Sequence, residues 1–305
     1  MYLFESLPWQ TILMGLAVLV ALIIINELAR ASKWISLILF LVVPIILTFW
    51  VWPTTAGPDS SVGTWFHYAK VYSVVGITLV IMGIRFIKGW STNKFILMLP
   101  AILLAVNILE AVIRDFQCYS INGFEDGMMI TGGSWNIMNG IAGILNILAI
   151  SGWAGIIISK DKKKDMVWPD MLIYWIIAYD LWNFAYVYNC LGNHAFYAGI
   201  MVLLAATIPA IFIKKGAWLQ HRAQTLAIWV MFAMSYPAFM DTSEYAVKAS
   251  QNTTALFIIS AIALLSNIAL IAYHIFKITK NKRNPLKDEI YTDLEEYKSV
   301  VAANK

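Results

Sequence analysis

Apolar residues run almost unbroken through this chain, and polar ones arrive in short bursts between them. Runs of about 20 apolar residues cross a hydrocarbon core of about 30 Å as a helix. Such runs fall at roughly 10–29, 34–53, 66–87, 95–115, 136–159, 168–190, 194–214, 224–246 and 254–277. The pattern predicts an all-α, polytopic integral membrane protein with about nine transmembrane helices. Connections between the runs are short, and the stretch from residue 278 to 305 is the one substantial segment outside them.

Charge then orients the chain, because short loops rich in Lys and Arg stay on the cytoplasmic side. Arg30 with Lys33, then Arg85, Lys88 and Lys94, then KDKKKD at 160–165, then Lys214, Lys215 and Arg222 all fall on one side of a nine-span chain. This puts the N-terminus outside and the C-terminus inside. It also accounts for most of the net charge of +4, so no nucleic-acid partner is read into it. The first run lacks a basic leader and a small-residue cleavage site and reads as a retained helix. The tail, DEIYTDLEEYKSV, reads as a solvated helical or disordered end. With 60% of residues hydrophobic, the expected partner is the lipid bilayer and the expected location the cell membrane.

An internal repeat emerges along the chain. Spans three and seven open on His67 and His194 and close on RFIKGW and FIKKGAW. Span four carries Asn107, Glu110 and Arg114, and span eight Asp241, Glu244 and Lys248, both at i, i+3, i+7. On a helix that spacing gathers three side chains on one face, with an acid four before a base. Spans five and nine each carry an asparagine, Asn146 in ILNIL and Asn267 in LSNIA. The organisation expected is two N-terminal helices over 1–65, a seven-helix bundle over 66–277 and a cytoplasmic tail over 278–305. Within the bundle, 66–159 is one repeat, 168–190 a linker helix and 194–277 the second repeat.

This arrangement of three helices, one linker and three more resembles the sugar-transporting SWEET family and its PQ-loop relatives, in which parallel repeats build a substrate path. The resemblance covers 66–277. It implies that Asn146 and Asn267 face a central pocket. The chain departs from the pattern in having no Pro-Gln dipeptide, two extra helices ahead of the bundle and a carboxylate in the linker span. Span eight, WVMFAMSYP, faintly resembles the sixth helix of microbial rhodopsins, but span nine offers no mid-span lysine for retinal.

The linker span reads AYDLWNFAYVYN, which places Asp180 and Asn183 in an otherwise apolar run. An ionised carboxylate there costs roughly 2.5–3.5 kcal/mol on insertion scales and marks a site, a partner or an aqueous path. NILE, DLWN and DTSE lie at comparable depth in spans of the same direction. The expected layer is Asn107, Glu110, Asp180, Asn183, Asp241 and Glu244, with Asn146 and Asn267. Rich in acceptors and interleaved with aromatic rings, it suits a small polar or cationic solute. Glu110 with Arg114, Glu244 with Lys248 and Glu27 with Arg30 are also readable as interfacial ion pairs. The asparagines are equally readable as bridges between helices.

No catalytic motif or cofactor signature stands out, and no spacing demands a metal. Cys118 and Cys190 both fall at the outer face and make a candidate disulfide. The outer loop between spans four and five, DFQCYSINGFEDGMMITGGSW, is long enough to be a lid. The expected function is a transporter or channel. The alternatives are a membrane-embedded enzyme acting on a lipid-like substrate and a heptahelical-type sensor or receptor.

Overall fold

A computed structural model describes residues 2–57 and 60–304. The chain is mostly helical, and among the described residues its two sheets are two-stranded hairpins. Among the described residues nine helices overlap the nine apolar runs: α1 (Trp9–Ala31), α2 (Lys33–Thr55), α3 (Trp65–Phe86), α4 (Lys94–Cys118), α5 (Ser134–Leu148), α6 (Ile173–Cys190), α7 (Tyr197–Phe212), α8 (Trp218–Ser235) and α9 (Thr253–Asn281). A short α10 (Glu295–Asn304) ends the chain.

Five helices, α1, α2, α3, α4 and α9, are long and apolar enough to cross a membrane. The bundle also wears an apolar exterior. Trp34, Phe49, Trp50, Phe95, Phe212 and Leu265 are all at least 64% exposed, a surface that lipid solvates and water does not.

Two predicted spans break early. The run 136–159 is helical only to Leu148, because ISGWAG carries Gly152 at positive φ. The run 224–246 is helical over Trp218–Ser235 and stops ahead of Tyr236-Pro237. Proline lacks the N–H a helix needs and drives the preceding residue out of helical geometry; Tyr236 sits at φ −141°, ψ 66°. Asp241 therefore closes a single turn, Ala238–Asp241, while Glu244 and Lys248 lie exposed beyond it. The predicted triplet face in span eight does not form.

Packing places α6 and α8 inside. α9 lies against α5 and α6, α4 between α3 and α5, and α8 between α3 and α7, with α1 outside α7 and α8. The two predicted three-helix sets pack differently: α5 lies on α4, whereas α9 lies on α5 and α6. Gly143 lets α5 approach closely, since a Cβ there would meet Val112 and the Trp182 ring. α8 buries Gln220, His221, Arg222, Gln224 and Thr225 along with its apolar residues, so it has no face for solvent or lipid over that stretch.

At one end of the bundle, β1 (Asn122–Glu125) and β2 (Met128–Thr131) form a hairpin. Its two-residue turn is Asp126-Gly127, both at positive φ, the conformation this sequence pair favours. The N-terminal strand residue Phe4 bridges to Ala249 at the same end. Arg114 does not pair with Glu110 but reaches Asp126 of this turn at 2.7 Å. Asp115 is also buried, accepting from Asn139 at 2.7 Å. Arg114 is thus not the interfacial partner of Glu110 that the sequence suggests.

The basic connectors collect at the other end, where β3 (Ile157–Ile158) pairs with β4 (Met166–Val167). The predicted free tail is docked there. Asp170 accepts from the backbone N–H of Ile290 and Tyr291 at 3.0 Å, and Glu296 accepts from Ile173 N–H at the start of α6 at 3.0 Å. Ile290 and Tyr291 are buried by this contact.

Candidate functional site

The bundle encloses a cavity between α3, α4, α6 and α8, with His194 and Ala198 closing one side. Its free space is about 50 Å³, room for a few water-sized groups. α3 enters it with the neighbours Phe66 and His67 and, one turn on, Lys70. α4 supplies Asn107, α6 supplies Asn183, and α8 supplies Arg222. Apolar walls come from Val187, Leu226, Trp229, Val230 and Ala233.

Most polar groups on the wall are held by a neighbour, the Tyr186 hydroxyl being buried with no partner among the described residues. Lys70 Nζ donates to the carbonyl of Asn107 at 2.7 Å and lies 3.2 Å from Glu110 Oε2. Ser73 donates to Glu110 at 3.1 Å and accepts from Asn107 Nδ2 at 3.0 Å. Arg222 donates through Nη2 to Asn183 Oδ1 at 3.1 Å and through Nε to the Tyr179 hydroxyl at 3.3 Å. Its Nη1 is buried with no partner among the described residues. The rings of His67 and His194 stand 5.4 Å apart, tilted by 40°.

The expected polar layer is thus partly assembled. Asn107 and Asn183 line the cavity; Glu110 stands behind Lys70. Asp180 does not reach the cavity wall. It accepts from Thr207 of α7 at 2.7 Å, and it feels the Arg222 charge from beyond ion-pair distance. Asn146 and Asn267 bond to each other at 3.0 Å, and Asn267 also donates to the Ala178 carbonyl at 3.1 Å. They tie α5 to α9 and α6, the bridging role also open to them from sequence.

Asp241 lies elsewhere, in a pocket at the hairpin end lined also by Glu5, Phe124, Gly127, Lys248 and Gln251. Glu244 is exposed and lines neither space. The acid-lined pocket expected from sequence is therefore reversed. The ionisable side chains on the cavity wall are Lys70, Arg222, His67 and His194, while the nearby acids stand behind it.

Sequence reasoning missed Lys70 and assigned Arg222 to a basic connector. Arg222 sits in QHRAQT, where polar residues fall on every side of the helix. A helix without an apolar stripe is either bathed in solvent or satisfied inside protein, and that was the available signal. Lys70 follows His67 by three residues inside an apolar run, the placement that marks intramembrane charge.

Two hydrogen-bonded clusters lie near the cavity residues. Towards the hairpin, Ser61 Oγ bonds His194 Nε2 at 3.0 Å, and Asp241 accepts from Ser61 N–H at 3.2 Å. That cluster is a few hydrogen bonds from one loop. Towards the basic connectors, Asp165 takes both Arg30 nitrogens, Nε at 3.1 Å and Nη2 at 2.7 Å, and Gln220 Nε2 at 2.7 Å. Arg85, 3.9 Å from Asp165, donates to the carbonyls of Arg30, Lys163 and Lys164. Glu27 also pairs with Arg30, as the sequence suggested, and with Lys163 at 2.9 Å.

Cys118 and Cys190 are free, buried thiols, which corrects the predicted disulfide. Cys190 donates to Asp115 Oδ1 at 3.3 Å and accepts from Asn136 Nδ2 at 3.5 Å. Among the described residues, no group of three or more His, Cys, Asp or Glu is placed to hold a metal ion.

No curated protein and no solved structure matches this chain. Residues 5–303 match one family model, and the chain accordingly belongs to DUF5692, a family of unknown function.

Proposed function

We infer that this chain is a multi-pass membrane protein that takes a small polar solute into the central cavity and passes it between the two faces of the bilayer. The observation that carries this reading is a cavity lined by buried Lys70, Asn107, Asn183 and Arg222 inside an apolar-coated bundle, with unlike hydrogen-bonded clusters at the hairpin and basic ends that would serve as its seals. Alternating access needs a central site with a closure on each side that can open in turn. The Ser61–His194 contact is the lighter seal and the Asp165 node the heavier.

The basic connectors gather with the Asp165 node, which supports a cytoplasmic assignment for that end and an outside N-terminus. Nine crossings, with the shorter α5, α6, α7 and α8 completing the count, fit this orientation. The reading agrees with the sequence expectation of a transporter but not with its acid-lined site. Because Lys70 and Arg222 face the space, a cationic solute would meet repulsion there.

Cysteine accessibility tests the reading. Ala198→Cys and Ala233→Cys place single reactive thiols on the cavity wall, with buried Cys118 and Cys190 as the unlabelled background. In proteoliposomes of known orientation, a membrane-impermeant thiol reagent is expected to label them when added from either face. Labelling from one face alone would leave a pocket without a path.

A further inference from the structure

We propose that the central cavity is a binding site for a short-chain monocarboxylate, held by Arg222 with Lys70 beside it. This rests on the reading of the cavity as the solute site and names the chemistry of its ligand. The guanidinium of Arg222 is buried, 4% exposed, and forms no ion pair within 4 Å among the described residues. Two of its nitrogens are used by neutral oxygens of Asn183 and Tyr179, and Nη1 is left without a partner.

A desolvated cation without a counter-charge is unfavourable unless something supplies the charge. The two acids nearby make no contact with Arg222: Glu110 bonds Lys70 and Ser73, and Asp180, bonded to Thr207, stands beyond ion-pair distance. Neither lines the space. A ligand carboxylate supplies the missing charge, and its planar oxygens match the guanidinium fork. Lys70, already bonded to the Asn107 carbonyl, adds positive potential to the same wall.

The rest of the lining selects the ligand's other end. Val187, Leu226, Val230 and Ala198 present hydrocarbon to the cavity, which suits a short alkyl tail. The same surface would leave the outer oxygens of a phosphate or sulfate unsatisfied. The free space of about 50 Å³ suits a tail of a few carbons.

Thermal unfolding of the full chain in detergent or nanodiscs tests this, with sodium propionate as probe. Propylammonium chloride and sodium chloride at matched ionic strength are the controls. A ligand that binds only the folded state raises the Tm saturably. Propionate is expected to raise the Tm by several degrees and propylammonium not to. Arg222→Gln should abolish the propionate shift, and Arg222→Lys should retain a smaller one.

If Arg222→Gln does not fold, Ala198→Leu decides, since it fills the space and leaves every charge in place. It too should abolish the shift. A saturable shift with propylammonium, no shift with propionate in the wild type, or an undiminished propionate shift in the folded variants would overturn the proposal. The two readings fail separately. Wall thiols labelled from both faces without propionate binding leave transport standing and remove the carboxylate. Propionate binding with access from one face does the reverse.

Discussion

Arg222 Nη2 donates to Asn183 Oδ1 across 3.1 Å, joining a buried cation of α8 to α6 through a neutral acceptor. Replacing that amide by a carboxylate would give the guanidinium its missing counter-charge. Hydrogen bonds to charged partners are worth about 1 kcal/mol more than neutral ones. Asn183→Asp is therefore expected to raise the stability of the ligand-free protein by about 1 kcal/mol. It should also remove the response to propionate, because the site is then self-neutralised. A variant less stable than wild type by thermal unfolding would mean that Arg222 is already compensated.

The Lys70–Glu110 contact at 3.2 Å is the converse case, a buried cation that has its acid. Both side chains are nearly buried, 9% and 13% exposed, so losing one partner strands the other. Breaking a buried pair costs about 3–5 kcal/mol, whereas replacing both members by apolar residues costs far less. Glu110→Gln should lower the Tm strongly, and Lys70→Met with Glu110→Leu should recover most of the loss. A double variant whose loss equals the sum of the two singles would show that the residues do not couple.

The distinction between these two cations marks what the sequence could and could not reveal. The nine apolar runs became nine helices because run length and apolarity are local properties. Their ends were less legible: α8 was placed six residues late, since Pro237 looked like a tolerated kink and QHRAQT like a loop. The cavity asparagines Asn107 and Asn183 stood out because amides are rare in apolar runs. Arg222 and Lys70 did not, because positive charge near a span end also serves topology. Only the packing of α8 between α3 and α7 separates the two roles. Asp180 stood out in the same way; Thr207, on a different helix, bonds one of its oxygens, while Oδ1 is buried with no partner among the described residues.

The thiols give a covalent check on the fold at the hairpin end. Cys118 and Cys190 are fully buried, 0% exposed, and Cys190 is bonded within the Asp115 cluster. Intact-mass measurement on non-reduced protein is expected to show two free thiols, neither alkylated until the protein is denatured. Recovery of a Cys118–Cys190 disulfide from the native protein would restore the bridge expected from sequence. It would also require the Asp115 cluster to be rebuilt around it.

Acid should weaken the seal at the basic end in a direction fixed by Asp165. This carboxylate lies in the connector between α5 and α6, fully buried. Burial opposes its ionisation, but the hydrogen bonds and charge of Arg30, with Gln220 and Arg85, outweigh burial and hold its pKa below the ordinary value. A depressed folded-state pKa contributes stability that is present above the unfolded value, about 3.9, and lost as pH falls through the folded one. The Tm contribution from this node should hold from neutral pH down to about 5 and decline below about 4. Asp165→Asn should cost about 3–5 kcal/mol at pH 7, because it leaves Arg85 and part of Arg30 without their anion. The variant and the wild type should then converge as the pH is lowered, since protonation removes the same charge. Parallel Tm profiles between pH 7 and 3 would show that the ionised Asp165 contributes nothing specific to this seal.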